Sequence, residues 1–310
     1  MGQVVAVSLL DGVISFISRM RHNIANWLNE RGRTASDAGR KKLALRFYHV
    51  ATFIEPSWSV PWYNAGLVLK YQGRWAESLW MNQRAALLDP SDEAAWWNLA
   101  IAATALRNWS EAARAWKACG IAVLQDAGGE VATDPATACV RLNPNSSGEV
   151  VWGERIDPVR FLVLNVPLPE SKHRFKDVIL NDGAQNGERE SRGRKFPVFD
   201  ELALWQKSDF STFKANITIP NESSEVDLIE LCRSAGMGVE DWGTIRMLCA
   251  ECSRGNPGPH TCESSEQSAE KSFAFAARSE TELRSILDSW AANIEDADYD
   301  DIALALAADA

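Results

Sequence analysis

Cys249, Cys252, His260 and Cys262 are the residues of this 310-residue chain whose types and spacing best fit a defined chemistry. Cys-x2-Cys lets two thiolates reach one tetrahedral zinc. The turn made by Gly255, Pro257 and Gly258 can bring His260 and Cys262 round to complete the set. Such a site is closed, because three sulfurs and one imidazole leave no position for a substrate, so the expected zinc is structural. The same residues also allow Cys249 as a buried strand residue with the others free in a disordered loop, or a Cys252–Cys262 disulfide in an oxidising setting. The basic and aromatic residues that stack nucleobases are absent from this loop, and nucleic-acid binding finds no support in it.

Other chemistry is sparse. The sequence holds no phosphate-binding G-x4-G-K-[ST], no G-x-G-x-x-G after a strand, no H-E-x-x-H and no G-x-S-x-G. Four histidines leave few acid–base candidates: His22 and His49 belong to a helical region, and His173, between Lys172 and Arg174, reads as a solvated turn residue. The carboxylates of Glu295, Asp296, Asp298, Asp300 and Asp301 lack the spacing of a calcium loop and read as a solvated acidic turn. The expectation is a protein that is not an enzyme.

The elements that carry the Cys/His loop are legible as patterns. Phe213, Ala215, Ile217 and Ile219 alternate as a strand, and a helix with Leu228, Leu231 and Cys232 follows, stopped at Gly236. Ile245, Met247 and Cys249 alternate as a second strand and Phe273, Phe275 and Ala277 as a third. Ser279 and Glu282 form a capping box ahead of Leu283, Ile286, Leu287 and Trp290, and Ile302, Leu304 and Leu306 alternate as a last strand. The order β-α-β-β-α-β over residues 209–310, with its loop at 249–262, predicts a ferredoxin-like four-stranded antiparallel sheet with both helices on one face. Upstream, residues 150–208 read as a small antiparallel β unit in which 185–195 is an exposed loop. Residues 127–149, rich in turn formers, read as a linker.

The first part of the chain is repetitive. Trp62-Tyr63-Asn64-Ala65-Gly66 aligns without gaps, 34 residues on, with Trp96-Trp97-Asn98-Leu99-Ala100. Trp75, Glu77 and Ala85 likewise align with Trp109, Glu111 and Cys119. The same period places a degenerate unit at Gly32, Gly39, Ala44, Ala51 and Glu55-Pro56, with Leu28 in place of the tryptophan. A period of this size is one helix–turn–helix layer, in which small residues let the two helices approach and a glycine or asparagine (Gly73, Asn108) makes the turn. The pattern resembles the tetratricopeptide repeat, with three units at 25–58, 59–92 and 93–126. Residues 1–24 are expected to form a capping helix that covers the first unit. The predicted fold class is therefore multidomain: an all-α repeat array followed by an α+β region.

That resemblance implies a concave groove, lined by the first helix of each unit, that takes a peptide or a partner helix. Carried over by alignment, the groove residues are Asn29, Arg33, Tyr63, Asn64, Leu67, Tyr71, Trp97, Asn98 and Ile101. Asn64 and Asn98 suit a peptide backbone, and Tyr63, Tyr71 and Trp97 are flat apolar anchors. The other reading of Trp97 is burial by the C-terminal region folded into the groove. One variant of the family clamps a C-terminal carboxylate with several basic side chains. Ala94 and Asn98 stand where such a clamp needs them, so a ligand with apolar anchors is expected instead.

Charge is distributed unevenly. Residues 1–126 carry 14 Lys/Arg against 10 Asp/Glu, and residues 263–310 carry 3 against 12. The acidic second half repels phosphate backbones, so no nucleic-acid partner is expected. No segment reads as a membrane span or a secretory signal, and six scattered cysteines do not make a disulfide scaffold, so a cytoplasmic location is expected. Three functions fit: an adaptor binding a protein through its groove, a regulator responding to metal or thiol state, or an inhibitor of immunity type acting through the C-terminal domain.

Overall fold

The computed structural model describes residues 2–146, 148–242 and 272–308, with side chains from residue 15 onward. The chain divides into two compact units, Met1–Ala132 and Thr133–Ala310.

The first unit holds six helices: α1 (Gly2–Asp37), α2 (Lys41–Ile54), α3 (Ser59–Lys70), α4 (Trp75–Leu88), α5 (Glu93–Ala105) and α6 (Trp109–Ala118), followed by a small ladder of β1 (Leu124–Gln125) and β2 (Val131–Ala132). Each helix packs on the next, and the 34-residue register is visible in the contacts. A Cβ on Gly32 would lie 2.4 Å from the Tyr48 ring and one on Gly66 2.5 Å from the Asn82 amide. Gly32 and Gly66 are one register position, and Tyr48 and Asn82 another. Only hydrogen at the first position lets the second helix of the layer come so close. The indole N–H of Trp62 donates to Pro56 O at 3.2 Å, and that of Trp96 to Pro90 O at 3.0 Å, again one position repeated.

Two expectations change. Residues 1–24 are not a separate cap, because α1 runs unbroken from Gly2 to Asp37. Nothing between Arg21 and Leu28 is a glycine or proline, so no breaker separates cap from repeat. The left-handed turn residues are Gly39 (φ 73°), Gly73 (φ 66°) and Arg107 (φ 57°), so Arg107 takes the place expected for Asn108. Asn108 instead caps α6, its side-chain oxygen accepting from Glu111 N.

The second unit opens with a closed barrel of β3 (Ala136–Leu142), β4 (Glu149–Arg155), β5 (Arg160–Val163), β6 (Val178–Ser191) and β7 (Arg194–Gln206). The strands run as a meander, and an odd number leaves the first and last pointing the same way. Closure is accordingly parallel, with Cys139 opposite Val198. Val140, Leu142, Val151, Phe161, Ile179 and Phe199 fill the interior. Residues 127–149, expected to be a linker, thus contain β2 and β3. The polar run 185–195, expected as a loop, is the outer part of the β6–β7 hairpin, turned by Arg192 (φ 49°) and Gly193 (φ 73°). Its residues are mostly exposed, so neither face needed the apolar alternation that marks a strand.

The remainder is an α+β layer: β8 (Ser211–Thr218), α7 (Glu222–Ser234), β9 (Gly238–Asp241), β10 (Ser272–Ala277), α8 (Glu280–Ala292), β11 (Asp298–Tyr299) and β12 (Ala303–Leu306). β10 pairs antiparallel with both β8 and β9, and β11 and β12 pair antiparallel with the other edge of β8. Asn221 and Ser279 cap the two helices, accepting from Ser224 N and Glu282 N. Phe213, Phe275, Leu228, Leu283, Leu287 and Trp290 form the core between helices and sheet. A second small core of Val166, Phe175, Phe210, Ala274 and Ala276 joins the sheet's other face to the loop after β5. The strand expected at Ile245–Cys249 lies outside the described residues.

Candidate peptide-binding groove

The first two repeat layers form a cleft of about 300 Å³. Arg33, Ser36 and Asp37 reach it from α1, and Lys41 and Tyr48 from α2. Asn64, Leu67, Val68 and Tyr71 reach it from α3. Four residues expected for the groove (Arg33, Asn64, Leu67 and Tyr71) are thus brought together. They stand on successive turns of α1 and α3, the spacing that puts side chains on one helix face. Tyr71 is 56% exposed, with Lys70 Nζ 4.4 Å from its ring centroid. Arg33 is exposed and donates to Glu30. Asn64 donates to the buried Asn29 across α1 and α3 at 2.8 Å, so this amide pair fixes the cleft wall.

The other expected residues do not line it. Tyr63 is half-buried, while Asn98 and Ile101 are buried on α5. Trp97 packs edge-on against Trp116 of α6, ring centroids 5.1 Å apart, and is only partly exposed. The alignment missed Ser36, Asp37 and Val68 on the helices it consulted, and Lys41 and Tyr48, which come from a second helix. The signal for Tyr48 was present: it shares a register position with Asn82, opposite a glycine. Burial, with Asp37 beside it, pushes the Tyr48 hydroxyl up to about 12. Lys41 Nζ donates to Ser36 O and Oγ at 3.2 Å. The cleft offers an aromatic and an aliphatic surface, one acid and two cations. That set can seat an extended chain with an apolar side chain.

The second unit holds buried titratable groups whose geometry is structural. His173, expected to be solvated, is 5% exposed. Its Nε2 faces Glu201 Oε1 at 2.7 Å and its Nδ1 faces Ser171 O at 2.8 Å. Both partners are acceptors, so both ring nitrogens donate and the imidazole has no lone pair left to act as a base. Burial lowers its pKa, but the Glu201 hydrogen bond and charge outweigh this and hold it above the ordinary value. Asp300, in the acidic run, accepts from Asn216 N and Nδ2 at 2.8 and 2.6 Å. No group of three or more His, Cys, Asp or Glu among the described residues is arranged to hold a metal. Cys249, Cys252, His260 and Cys262 lie outside the described residues.

Glu149 on β4 accepts from Leu168 N and is pushed up to about 7 by burial, against the pull of that amide. A folded-state value raised above the ordinary 4.5 stabilises fully below 4.5, and this contribution is lost as pH rises through about 7. Glu149→Gln keeps the acceptor and removes the titration. Thermal denaturation should show the variant equal to wild type at pH 4 and more stable at pH 8, by about 1–3 kcal/mol. Parallel curves for the two proteins over this range would refute the assignment.

No protein-family model matches the chain, and no curated protein is similar to it. Among solved structures it is similar to the Arabidopsis OM64 TPR domain, at 17% identity over 32% of this chain and 82% of that one, with a TM-score of 0.30. It is similar also to the second TPR of Spaghetti (RPAP3) bound to the HSP90 peptide SRMEEVD, at 19% identity over 33% and 94% of the two chains, TM-score 0.32. A third is the Sgt2 TPR domain from Aspergillus fumigatus, at 20% identity over 31% and 63%, TM-score 0.29. The helical unit is a tetratricopeptide-type array by its own geometry: paired helices at a period of 34 residues, with repeated glycine contacts and indole caps. Among the described residues no helix is long and apolar enough to cross a membrane.

Proposed function

We propose that this chain is an adaptor that holds a protein partner through the cleft between its first two repeat layers. The cleft itself carries the reading: Leu67 and the exposed Tyr71 stand beside Arg33 and Lys41, an apolar anchor site with charge at its rim. The favoured ligand is an extended segment with an apolar side chain. Affinity capture from the native cell with wild type and with Leu67→Ala/Tyr71→Ala tests this. One specific prey should fall by about tenfold or more in the variant, as expected when two anchor residues lose over 1 kcal/mol of contact. An unchanged prey list sinks the proposal.

We read the β8–β12 layer as ferredoxin-like; its strand order (β11/β12, β8, β10, β9), antiparallel throughout, supports that reading. A second functional reading, neutralisation of a basic partner by this layer, is favoured by a cleft of about 370 Å³ between α7 and α8. Asp227 and Glu230 supply its charge, and Leu231 and Ile294 its accessible apolar lining.

A further inference from the structure

We infer that α1 pairs with α1 of a second copy of this chain, making the protein a homodimer through a helical seam that its own repeats leave uncovered. The sequence of α1 carries apolar residues at alternating intervals of three and four. Leu10, Ile17 and Ile24 take one heptad position, and Val13, Met20 and Trp27 the other, with Ala6 continuing the series. A spacing that averages 3.5 residues is the signature of a helix meant to wind against another helix. From Ala6 to Trp27 the seam is about 33 Å long at 1.5 Å per residue.

The described part of this seam is left exposed by the other described residues. Ile17 is 46% exposed, Met20 47%, Ile24 43% and Trp27 55%. These exposures are large for four apolar side chains on one stripe, since soluble proteins rarely leave contiguous apolar surface open without use. The register explains why the stripe is open. Trp27, Arg31 and Thr34 of α1 correspond, 34 residues on, to Pro61, Ala65 and Val68 of α3, and then to Ala95, Leu99 and Ala102 of α5. The α3 and α5 residues are buried, whereas Trp27, Arg31 and Thr34 are exposed. These are the positions by which each layer stacks on the one before, and α1 has no layer before it among the described residues. From Arg31 onward the face is closed by polar residues, with the Arg31 guanidinium over the Trp27 ring at 5.2 Å. From Trp27 back to Ile17 it is apolar.

The flanking positions point to a second copy as the occupant. Leu9, Phe16 and Asn23 precede the seam residues, and Ile14, Arg21 and Leu28 follow them. Arg21 is the one charge in that set, and its guanidinium donates to Ile54 O at the end of α2 at 2.6 and 3.1 Å. Charges at these flanking positions are what select a different chain or forbid like pairing. Their near absence leaves the seam self-complementary, as a two-fold interface requires. A membrane surface fits less well. Helices that lie in lipid carry many Lys and Arg on the polar face, whereas the described residues opposite the seam, Ser15, Ser18, Arg19 and His22, include one arginine.

Sedimentation equilibrium of the full chain tests the inference, with Ile17→Lys/Ile24→Lys as the variant and Asn26→Lys, on another exposed face, as the control. Wild type and control should rise with concentration from 34.3 kDa toward twice that mass. The double variant should stay monomeric with an unchanged far-UV circular dichroism spectrum, its dissociation constant raised by at least about 100-fold. A wild type that remains at one-chain mass up to about 100 μM overturns the proposal, as does a double variant that associates like wild type. Flotation of a monomeric wild type with vesicles of phosphatidylcholine and phosphatidylserine, lost in the double variant, would assign the face to lipid and overturn it as well.

Discussion

Trp290→Ala is expected to destabilise the second unit by about 3–5 kcal/mol, the range for removing a buried tryptophan. Trp290 lies on α8 with 0% of its surface exposed, among Phe213, Leu228, Leu283 and Leu287. Its indole N–H donates to Ser224 O in the first turn of α7 at 2.9 Å, so one side chain ties both helices to each other and to the sheet. Truncation leaves a large void, and the Ser224 carbonyl loses this donor inside the core. Trp290→Phe keeps most of the packing and removes the donor, so it should cost less, about 1–3 kcal/mol. Hydrogen exchange of the β8 and β10 amides in the full chain separates this unit from the helical one. A loss of protection under 1 kcal/mol for the alanine variant would show that the helices are held by other contacts.

Asp157→Ala is expected to cost a similar amount, about 3–5 kcal/mol, because it breaks a buried ion pair by removing one partner only. Asp157 and Arg160, at the turn between β4 and β5, have side chains 0% and 1% exposed, with Nε and Oδ2 2.6 Å apart. The other carboxylate oxygen accepts from Val159 N at 2.8 Å and Arg160 N at 2.7 Å, which shapes the turn itself. The guanidinium also stands over the Trp205 ring at 5.0 Å, so pair and turn together anchor β5 against β7. Asp157→Asn retains a neutral acceptor for the turn and should fall between wild type and alanine. Denaturant unfolding, followed by protection of the β4 and β5 amides, reads the difference. Equal stability of the alanine variant and wild type would mean that Arg160 is balanced by its remaining contacts.

How far the sequence could be read depended on how local the deciding contacts were. The helical array was legible because its contacts repeat at a fixed spacing. Gly32 under Tyr48 and Gly66 under Asn82 are the same event one layer apart, and a helix closes its hydrogen bonds within its own turn. The Ser279 cap of α8 was legible for the same reason. The groove was half legible: Arg33, Asn64, Leu67 and Tyr71 lie on the expected faces, yet Tyr48 and Lys41 enter from a second helix that the alignment did not consult. Trp97 illustrates the opposite error, since register gave its face but could not show Trp116 beside it.

The sequence by itself determined the period and the helix pairs, both set by residues within a few turns of one another. Only the tertiary structure decided that Ala136–Leu142 is a strand, because its partners lie far along the chain. Cys139 pairs with Trp152 on one side and with Val198 on the other. Likewise the polar ends of β6 and β7 are strands because they pair with each other, not because their side chains alternate. A strand's hydrogen bonds belong to its neighbours, so its existence, and the closure of the barrel, become defined only when distant segments meet.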